Sequence, residues 1–163
     1  MQTLRSFSLS KLILIIALSA TTIGCTWKKT MAFKSPSGRC SVEIWQTRIA
    51  NEWGTRVRLV SPTRSTFVFE NRREAIVYFV HVYWSPDESK AGVITAGTNG
   101  WELAYDVQTG KEIPFETIRE DIAASIRKTY QVPTGDDPIR WAGSADAQND
   151  FFRLHPEIRL SYR

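Results

Sequence analysis

The chain contains short segments in which apolar and polar residues alternate, the pattern of antiparallel strands with one buried side. Two hairpins are predicted in the first half, residues 31–33 with 40–45 and residues 56–60 with 66–69. Their turns, Ser35-Pro36-Ser37-Gly38 and Ser61-Pro62-Thr63, carry the proline, serine and glycine typical of such connections. In the first hairpin we expect Cys40, Val42 and Ile44 to share the buried side.

The longest apolar run outside the N-terminal segment, residues 75–84 (AIVYFVHVYW), has no polar face. Because such a run is typical of a strand covered on both sides, it predicts the central strand of the sheet. A turn is predicted at residues 85–88, and residues 90–96 and 101–107 predict two further strands. The Asn99-Gly100 pair between these strands is a strong turn signal.

One later segment has the period of an amphipathic helix. Ile118, Ile122, Ile126 and Tyr130 are spaced four residues apart, which places one apolar stripe on a helix over about residues 115–130. We expect this stripe to pack against the sheet as part of the core.

The C-terminal residues predict a second, short helix at 145–154, carrying Phe151 and Phe152 and ended by Pro156. Alternation at residues 158–162 predicts that the chain closes with a strand or an extended stretch. The fold class is therefore α+β: an antiparallel β-meander or sheet of about six to eight strands with a C-terminal amphipathic helix packed on it. Residues 31–163 form one domain.

The N-terminal segment has the composition of an export signal. Arg5 and Lys11 precede an apolar run, residues 12–20, that is too short to cross a bilayer. The following Thr22-Ile23-Gly24-Cys25 resembles the lipobox of bacterial lipoprotein precursors. The resemblance implies that residues 1–24 are removed, that Cys25 is acylated, and that residues 25–30 form a lipidated tether to a membrane. An alternative is ordinary cleavage followed by a disulfide between Cys25 and Cys40.

The lipobox resemblance also implies a location in the cell envelope. Thr26, rather than Asp, follows the cysteine, which predicts the outer membrane, facing the periplasm, if lipoproteins are sorted here as in enterobacteria. Nucleic acid is excluded as a partner outside the cytoplasm. If Cys25 is acylated, Cys40 is a lone thiol, for which we expect a buried structural position.

Two turns carry a second resemblance. Trp84-Ser85-Pro86-Asp87, followed by residues 103–111 (LAYDVQTGK), resembles the hairpin pairs of WD-type and TolB-type β-propeller repeats, and Ser35-Pro36-Ser37-Gly38 is a weaker copy that begins 50 residues earlier. The resemblance covers residues 35–115 and implies two blade-like units. Because a propeller needs at least four blades to close, it implies a meander of strands but no propeller channel or activity.

The net charge of +4 is unevenly distributed, and the signal contributes two of these charges. Ten Lys or Arg between Cys25 and Arg73 face three Glu: 28, 29, 34, 39, 48, 56, 58, 64, 72 and 73 against 43, 52 and 70. Beside a lipid anchor, Lys28 and Lys29 are expected to contact anionic headgroups. The arginines at 48, 56, 58 and 64 have two interpretations, solvent-facing strand residues or a binding patch, and the first is favoured.

The residues required for catalysis are largely missing. The two histidines, His81 and His155, lie in no catalytic or zinc-binding motif, and we expect His81 to be a core residue and His155 to cap the helix over 145–154. Acidic pairs occur at Glu120-Asp121, Asp136-Asp137 and Asp146 with Asp150, without the spacing of a calcium loop. We therefore expect no catalytic residues, no metal, no cofactor and no enzymatic activity.

The six tryptophans point to binding instead. Trp53 lies in Asn51-Glu52-Trp53-Gly54, where we expect a turn that exposes it, and with Arg48, Arg56 and Arg58 it forms the predicted binding site. The favoured hypothesis is a non-catalytic interaction or scaffold module with an envelope protein as partner. The alternatives are an inhibitor or immunity protein against an envelope-acting enzyme, a glycan-acting envelope enzyme that uses the acidic pairs, and a sandwich or barrel that holds an apolar ligand.

Overall fold

A computed structural model describes residues 26–49, 52–71, 79–96 and 100–160. The predicted signal, Cys25 and the expected turn residues Asn51 and Asn99 lie outside the described residues. The same is true of residues 75–78 of the apolar run and of Tyr162.

The first sheet is antiparallel and has four strands in sequence order. They are β1 (Lys28–Lys34), β2 (Ser41–Ile49), β3 (Glu52–Ser61) and β4 (Arg64–Asn71). Val42 and Ile44 of β2 and Val57 and Leu59 of β3 are buried on its inner face, and Cys40 is buried beside them, as the alternation predicts. Both predicted hairpins are confirmed.

Two boundaries in this sheet differ from the prediction. β1 begins at Lys28, so residues 28–30 are part of the sheet and not of a tether, because Lys28 and Lys29 pair with Gln46 and Trp45 of β2. Trp53 does not lie in a turn. It is a residue of β3 and faces Arg48 across the β2–β3 ladder. The strand therefore begins before Gly54, for which the sequence predicts a turn.

The second sheet has three antiparallel strands, β5 (Phe79–Trp84), β6 (Lys90–Ala96) and β7 (Trp101–Asp106), in sequence order. The prediction that the apolar run is the central strand was wrong. Within the described residues β5 pairs with β6 alone, and β6 lies in the middle. In the described part of the run, the rings of Phe79 and His81 contact Tyr130 beside the helices, and Val80, which points to the opposite face of the strand, is also buried.

The helices follow β7 after a short 3-10 turn at Phe115–Thr117. They are α1 (Arg119–Thr129), α2 (Pro138–Trp141), α3 (Ala145–Leu154) and α4 (Pro156–Leu160). Helix α1 confirms the predicted apolar stripe, since Ile118, Ile122, Ile126 and Tyr130 are all buried. The expected closing strand or extended stretch was wrong for residues 158–160: Pro156 suits the first turn of a helix, and α4 buries Ile158.

Glycine and aromatic contacts position the three layers. A Cβ at Gly92 in β6 would lie 2.4 Å from Ile122 Cδ1, so the glycine allows α1 to lie directly on the second sheet. On the other side of that sheet, the rings of Trp101 and Phe69 are 4.8 Å apart, which joins β7 to β4. The arrangement is sheet, sheet and helices around one hydrophobic core, an α+β fold as predicted.

Equivalent turns close the first hairpin of each sheet. The Ser35 N–H donates to Cys40 O at 2.9 Å and the Gly38 N–H to Ser35 O at 2.8 Å. The same bonds recur 50 residues later, from Ser85 to Lys90 O at 3.0 Å and from Glu88 to Ser85 O at 2.8 Å. Gly38 and Glu88 occupy the same left-handed position, with φ of 73° and 56°. The two turns that suggested a repeat therefore share one conformation.

Candidate functional site

The outer face of the four-stranded sheet carries aromatic and charged side chains packed on one another. We call this surface the aromatic-basic face and define it by Trp27, Lys29, Lys34, Glu43, Trp45, Arg56, Arg58, Phe67 and Glu70. Strand pairing places Trp45 opposite Arg56 and Glu43 opposite Arg58, all on the side away from the core.

Phe67 is the centre of the aromatic contacts on this face. Its side chain is 45% exposed, and the guanidinium carbons of Arg56 and Arg58 lie 5.3 and 5.5 Å from its ring centroid. The Trp45 ring meets Phe67 edge-on at 6.0 Å. Each arginine covers part of an aromatic surface while its charge remains near solvent, which is the geometry of a cation–π contact.

Glu43 organises the charges of the face. Its carboxylate accepts hydrogen bonds from Lys29 Nζ at 3.2 Å and from the Trp45 indole N–H at 3.0 Å, and it lies 3.7 Å from Arg58 Nη1. A second carboxylate, Glu70, accepts from Arg56 Nε at 2.7 Å. The arginines are thus held in place by both rings and carboxylates.

Trp27 folds back onto the same face. The Arg56 guanidinium carbon lies 4.0 Å from the Trp27 ring centroid. A Cβ at Gly54 would lie 3.0 Å from Trp27 Cη2, so the absence of a side chain in the middle of β3 leaves room for the indole. The preceding residue is also tied to the sheet, because the Thr47 hydroxyl donates to Thr26 O at 3.2 Å.

Arg48 and Trp53 lie elsewhere, at the end of the β2–β3 ladder and with the opposite orientation from Arg56 and Arg58. Arg48 is exposed, and its guanidinium carbon is 5.9 Å from the half-buried Trp53 ring. Both residues line a cavity of about 300 Å³, together with Thr26, Lys28, Lys29, Thr30, Gln46 and Thr47. We call this cavity the hairpin-end site.

Two residues of the acidic pairs, Asp137 and Asp150, have structural roles. Asp137 Oδ1 accepts from the Ile139 N–H at 2.9 Å, capping α2, and Asp137 Oδ2 accepts from Arg119 Nη2 at 2.8 Å. The hydrogen bond from the Arg119 guanidinium lowers the pKa of Asp137, the opposite of what a general acid needs. Asp150 accepts from the Gln131 N–H at 3.3 Å and pairs with Arg153.

The histidines and Cys40 occupy the positions that the sequence predicts. His81 is buried between β5 and α1, where His81 Nε2 lies 3.0 Å from Ser125 Oγ, and His155 follows α3 with its N–H donating to Phe151 O at 2.9 Å. Cys40 is a free, buried thiol whose pKa is raised by burial.

Two kinds of feature are absent from the residues that the structure describes. No group of three or more His, Cys, Asp or Glu side chains there is placed to hold a metal ion. No helix in the same part of the chain is long and apolar enough to cross a bilayer.

The structure therefore divides the four residues of the predicted binding site into two pairs, one on each surface. The sequence prediction missed Trp27, Trp45 and Phe67 as neighbours of Arg56 and Arg58. The parity of β2 and β3 could have shown that Trp45 shares a face with the arginines. The contact between Trp27 and Gly54 corresponds to no such pattern in the sequence, so it could not have been predicted in this way.

The chain matches no protein-family model, no curated protein sequence and no solved structure.

Proposed function

We propose that the chain is a non-catalytic interaction module of the bacterial envelope, anchored by lipid on Cys25, that binds a second envelope protein at the hairpin-end site. One observation carries the protein-binding part: Arg48 and Trp53 are brought together beside a cavity of about 300 Å³. Tryptophan and arginine are the residues most enriched among those that dominate binding energies. Lys28 and Lys29 add two cations to the lining, so the partner contributes an acidic segment.

The anchor part of the proposal depends on the lipobox resemblance at residues 22–25. Acyl chains on Cys25 would hold the domain at a membrane, in our proposal the outer membrane on its periplasmic side. Intact-mass measurement of the mature protein tests this directly. We expect a chain that begins at Cys25 and carries acyl groups, and a free thiol at Cys25 or a retained Met1 would contradict it.

The protein partner is tested by crosslinking in intact cells, purification of the tagged lipoprotein and mass spectrometry of what is bound. We expect one partner in stoichiometric amount. Arg48→Ala and Trp53→Ala should each reduce its recovery by about tenfold, since truncating such a residue commonly costs more than 1 kcal/mol. Arg140→Ala, at an exposed arginine of α2, is the matched control. Unchanged recovery with both site variants would reject the hairpin-end site.

The identity of the captured partner separates the remaining functions. An envelope hydrolase whose activity falls on binding would make the chain an inhibitor or immunity protein that uses the same site. A glycan-acting enzyme is the less favoured proposal, because Asp137 is engaged by Arg119 and by the start of α2.

A further inference from the structure

We propose that the aromatic-basic face lies flat against the anionic surface of the membrane that holds the anchor. The proposal rests on the acylation of Cys25 in the proposed function and assigns a second surface, which adjoins the hairpin-end site at Lys29, to the lipid headgroups. The domain would then have a fixed orientation on the bilayer, with the hairpin-end site at the edge of the contact.

The path of the chain brings the anchor to this face. Thr26 is tied to Thr47, whose side chain is on the outer side of β2, and Trp27 lies over Gly54 on the same side. The Cα atom of Cys25 is at most about 3.8 Å from that of Thr26. Acyl chains on Cys25 therefore leave the domain at the edge of the aromatic-basic face.

The chemistry of the face suits a headgroup region. Trp27, Trp45 and Phe67 are aromatic residues of the kind that concentrate where a bilayer meets water. Arginine side chains lie over these rings at 4.0 to 5.8 Å, so the face presents apolar surface and positive charge together. Such amphipathic surfaces bury their apolar parts while the charged ends reach phosphate groups.

The charge of the face has the sign that an anionic membrane attracts. Among the described side chains that define the face, two carboxylates, Glu43 and Glu70, oppose four cations, and these are Lys29, Lys34, Arg56 and Arg58. Each basic residue near an anionic bilayer strengthens binding by about fivefold at physiological ionic strength. An excess of two positive charges would therefore favour the orientation in which the aromatic-basic face contacts the bilayer.

The anchor favours the bilayer over a protein as the occupant. A tethered surface meets the membrane at a high effective concentration, so a weak intrinsic affinity is enough to hold it there. A protein that covered the face would have to enter between Trp27 and the bilayer, a few ångströms from the acyl chains.

The test compares the two large hydrophobic side chains that the described residues expose, Phe67 at 45% and Leu154 at 40%. Phe67→Cys and Leu154→Cys are prepared in the full acylated protein with Cys40→Ala, labelled with a fluorophore and placed in phosphatidylethanolamine–phosphatidylglycerol vesicles. A water-soluble quencher should reach the label at position 67 about fivefold less efficiently than the label at position 154. Unlabelled protein provides a second readout, because brominated lipids should quench its tryptophan fluorescence.

Charge reversal then tests the electrostatic part. Arg56→Glu with Lys34→Glu, which leaves the lining of the hairpin-end site intact, should remove most of the protection at position 67 and most of the quenching by brominated lipid, whereas Arg140→Glu should leave both unchanged. Phosphatidylcholine vesicles and high salt should have the same effect as the reversal.

The outcomes separate the inference from the proposed function. Equal quencher access at positions 67 and 154, in protein that floats with the vesicles, would overturn the membrane contact while the anchor stands. Protein that fails to float would overturn the anchor and the inference with it. Protection of position 67 in cells but not in lipid vesicles would mean that a protein covers the face, and would also overturn the inference.

Discussion

At the scale of single residues, the aromatic-basic face depends on Glu43. This side chain is 13% exposed and contacts Lys29, Trp45 and Arg58 together. A largely buried carboxylate with several donors contributes more to the free energy of unfolding than a solvent-exposed ion pair does. When it is removed, its donors and cations are left without a partner.

Glu43→Gln should lower the free energy of unfolding by about 2 kcal/mol, since the charge that compensates Lys29 and Arg58 is lost. Urea denaturation measures this change. The matched control is Glu102→Gln, at an exposed position of β7, which should change stability by less than about 0.5 kcal/mol. Equal effects of the two substitutions would show that Glu43 does not organise the face.

A second prediction at this scale concerns Gly54. The Trp27 indole occupies the space that a side chain at position 54 would need. Gly54→Val should displace the indole from β3 and from Arg56, at a cost of about 2 kcal/mol in the free energy of unfolding. In a Trp27→Ala background the same substitution should cost much less. Urea denaturation of the single and double variants gives the coupling, and simple additivity of the two changes would contradict the packing of Trp27 over Gly54.

At the scale of elements, the turn between β5 and β6 joins the two sheets through Glu88. Its carboxylate accepts from Ser35 Oγ at 2.9 Å, from Ser37 Oγ at 2.6 Å and from the Ser37 N–H at 2.7 Å. These bonds lower the pKa of Glu88, the hydroxyl of Ser37 contributing most. A residue with a side chain is thus kept at a left-handed position where the equivalent turn has Gly38.

Two substitutions separate the side chain of Glu88 from its backbone. Glu88→Ala should destabilise the protein because it removes the link to Ser35 and Ser37 and keeps the strained backbone. Glu88→Gly removes the same link but relieves the strain, and should be more stable than the alanine variant by about 1 kcal/mol. Thermal unfolding of the three proteins checks the order, and an alanine variant as stable as the wild type would show that the link contributes nothing.

The elements that the sequence predicted well are those with a local signal. Ile118, Ile122 and Ile126 define α1 by their spacing alone, and β6 follows from a turn on each side of a short apolar segment. Two features could not be predicted: that β5 pairs on one side only within the described residues, and that Trp27 lies over Gly54, because both depend on the packing of parts of the chain that have no local sequence signal. Residues 158–160 could not be predicted for another reason. Over so short a segment, alternation of apolar and polar residues fits a helical turn that buries Ile158 as well as it fits a strand.

At the scale of the whole molecule, the second sheet is enclosed between the first sheet and the helices, and this buries a titratable group. His81 lies under α1 beside Ser125, with its ring 5.6 Å from that of Tyr130. Burial lowers the pKa of His81 to about 4. The three-layer packing therefore holds the imidazole neutral at pH values where an exposed histidine is charged.

This burial makes stability depend on pH in a defined window. In the unfolded chain His81 takes up a proton near pH 6.5, and in the folded protein it does so only near pH 4, so between these values the unfolded state binds more protons. The free energy of unfolding should therefore fall as the pH is lowered from about 6.5 to 4, by about 3 kcal/mol in total. His81→Gln, which keeps a partner for Ser125 but does not titrate, should abolish this slope.

The carboxylates of Asp87 and Glu88 act at lower pH, because hydrogen bonds from Ser85, Ser89 and Ser37 lower their pKa values, that of Asp87 to about 2. Their contribution is lost as the pH falls below the unfolded pKa values, 4.5 for Glu88 and 3.8 for Asp87, so urea denaturation at intervals between pH 7 and about 5 reports mainly on the histidine. An unchanged slope in His81→Gln would mean that protonation elsewhere in the molecule controls its acid sensitivity.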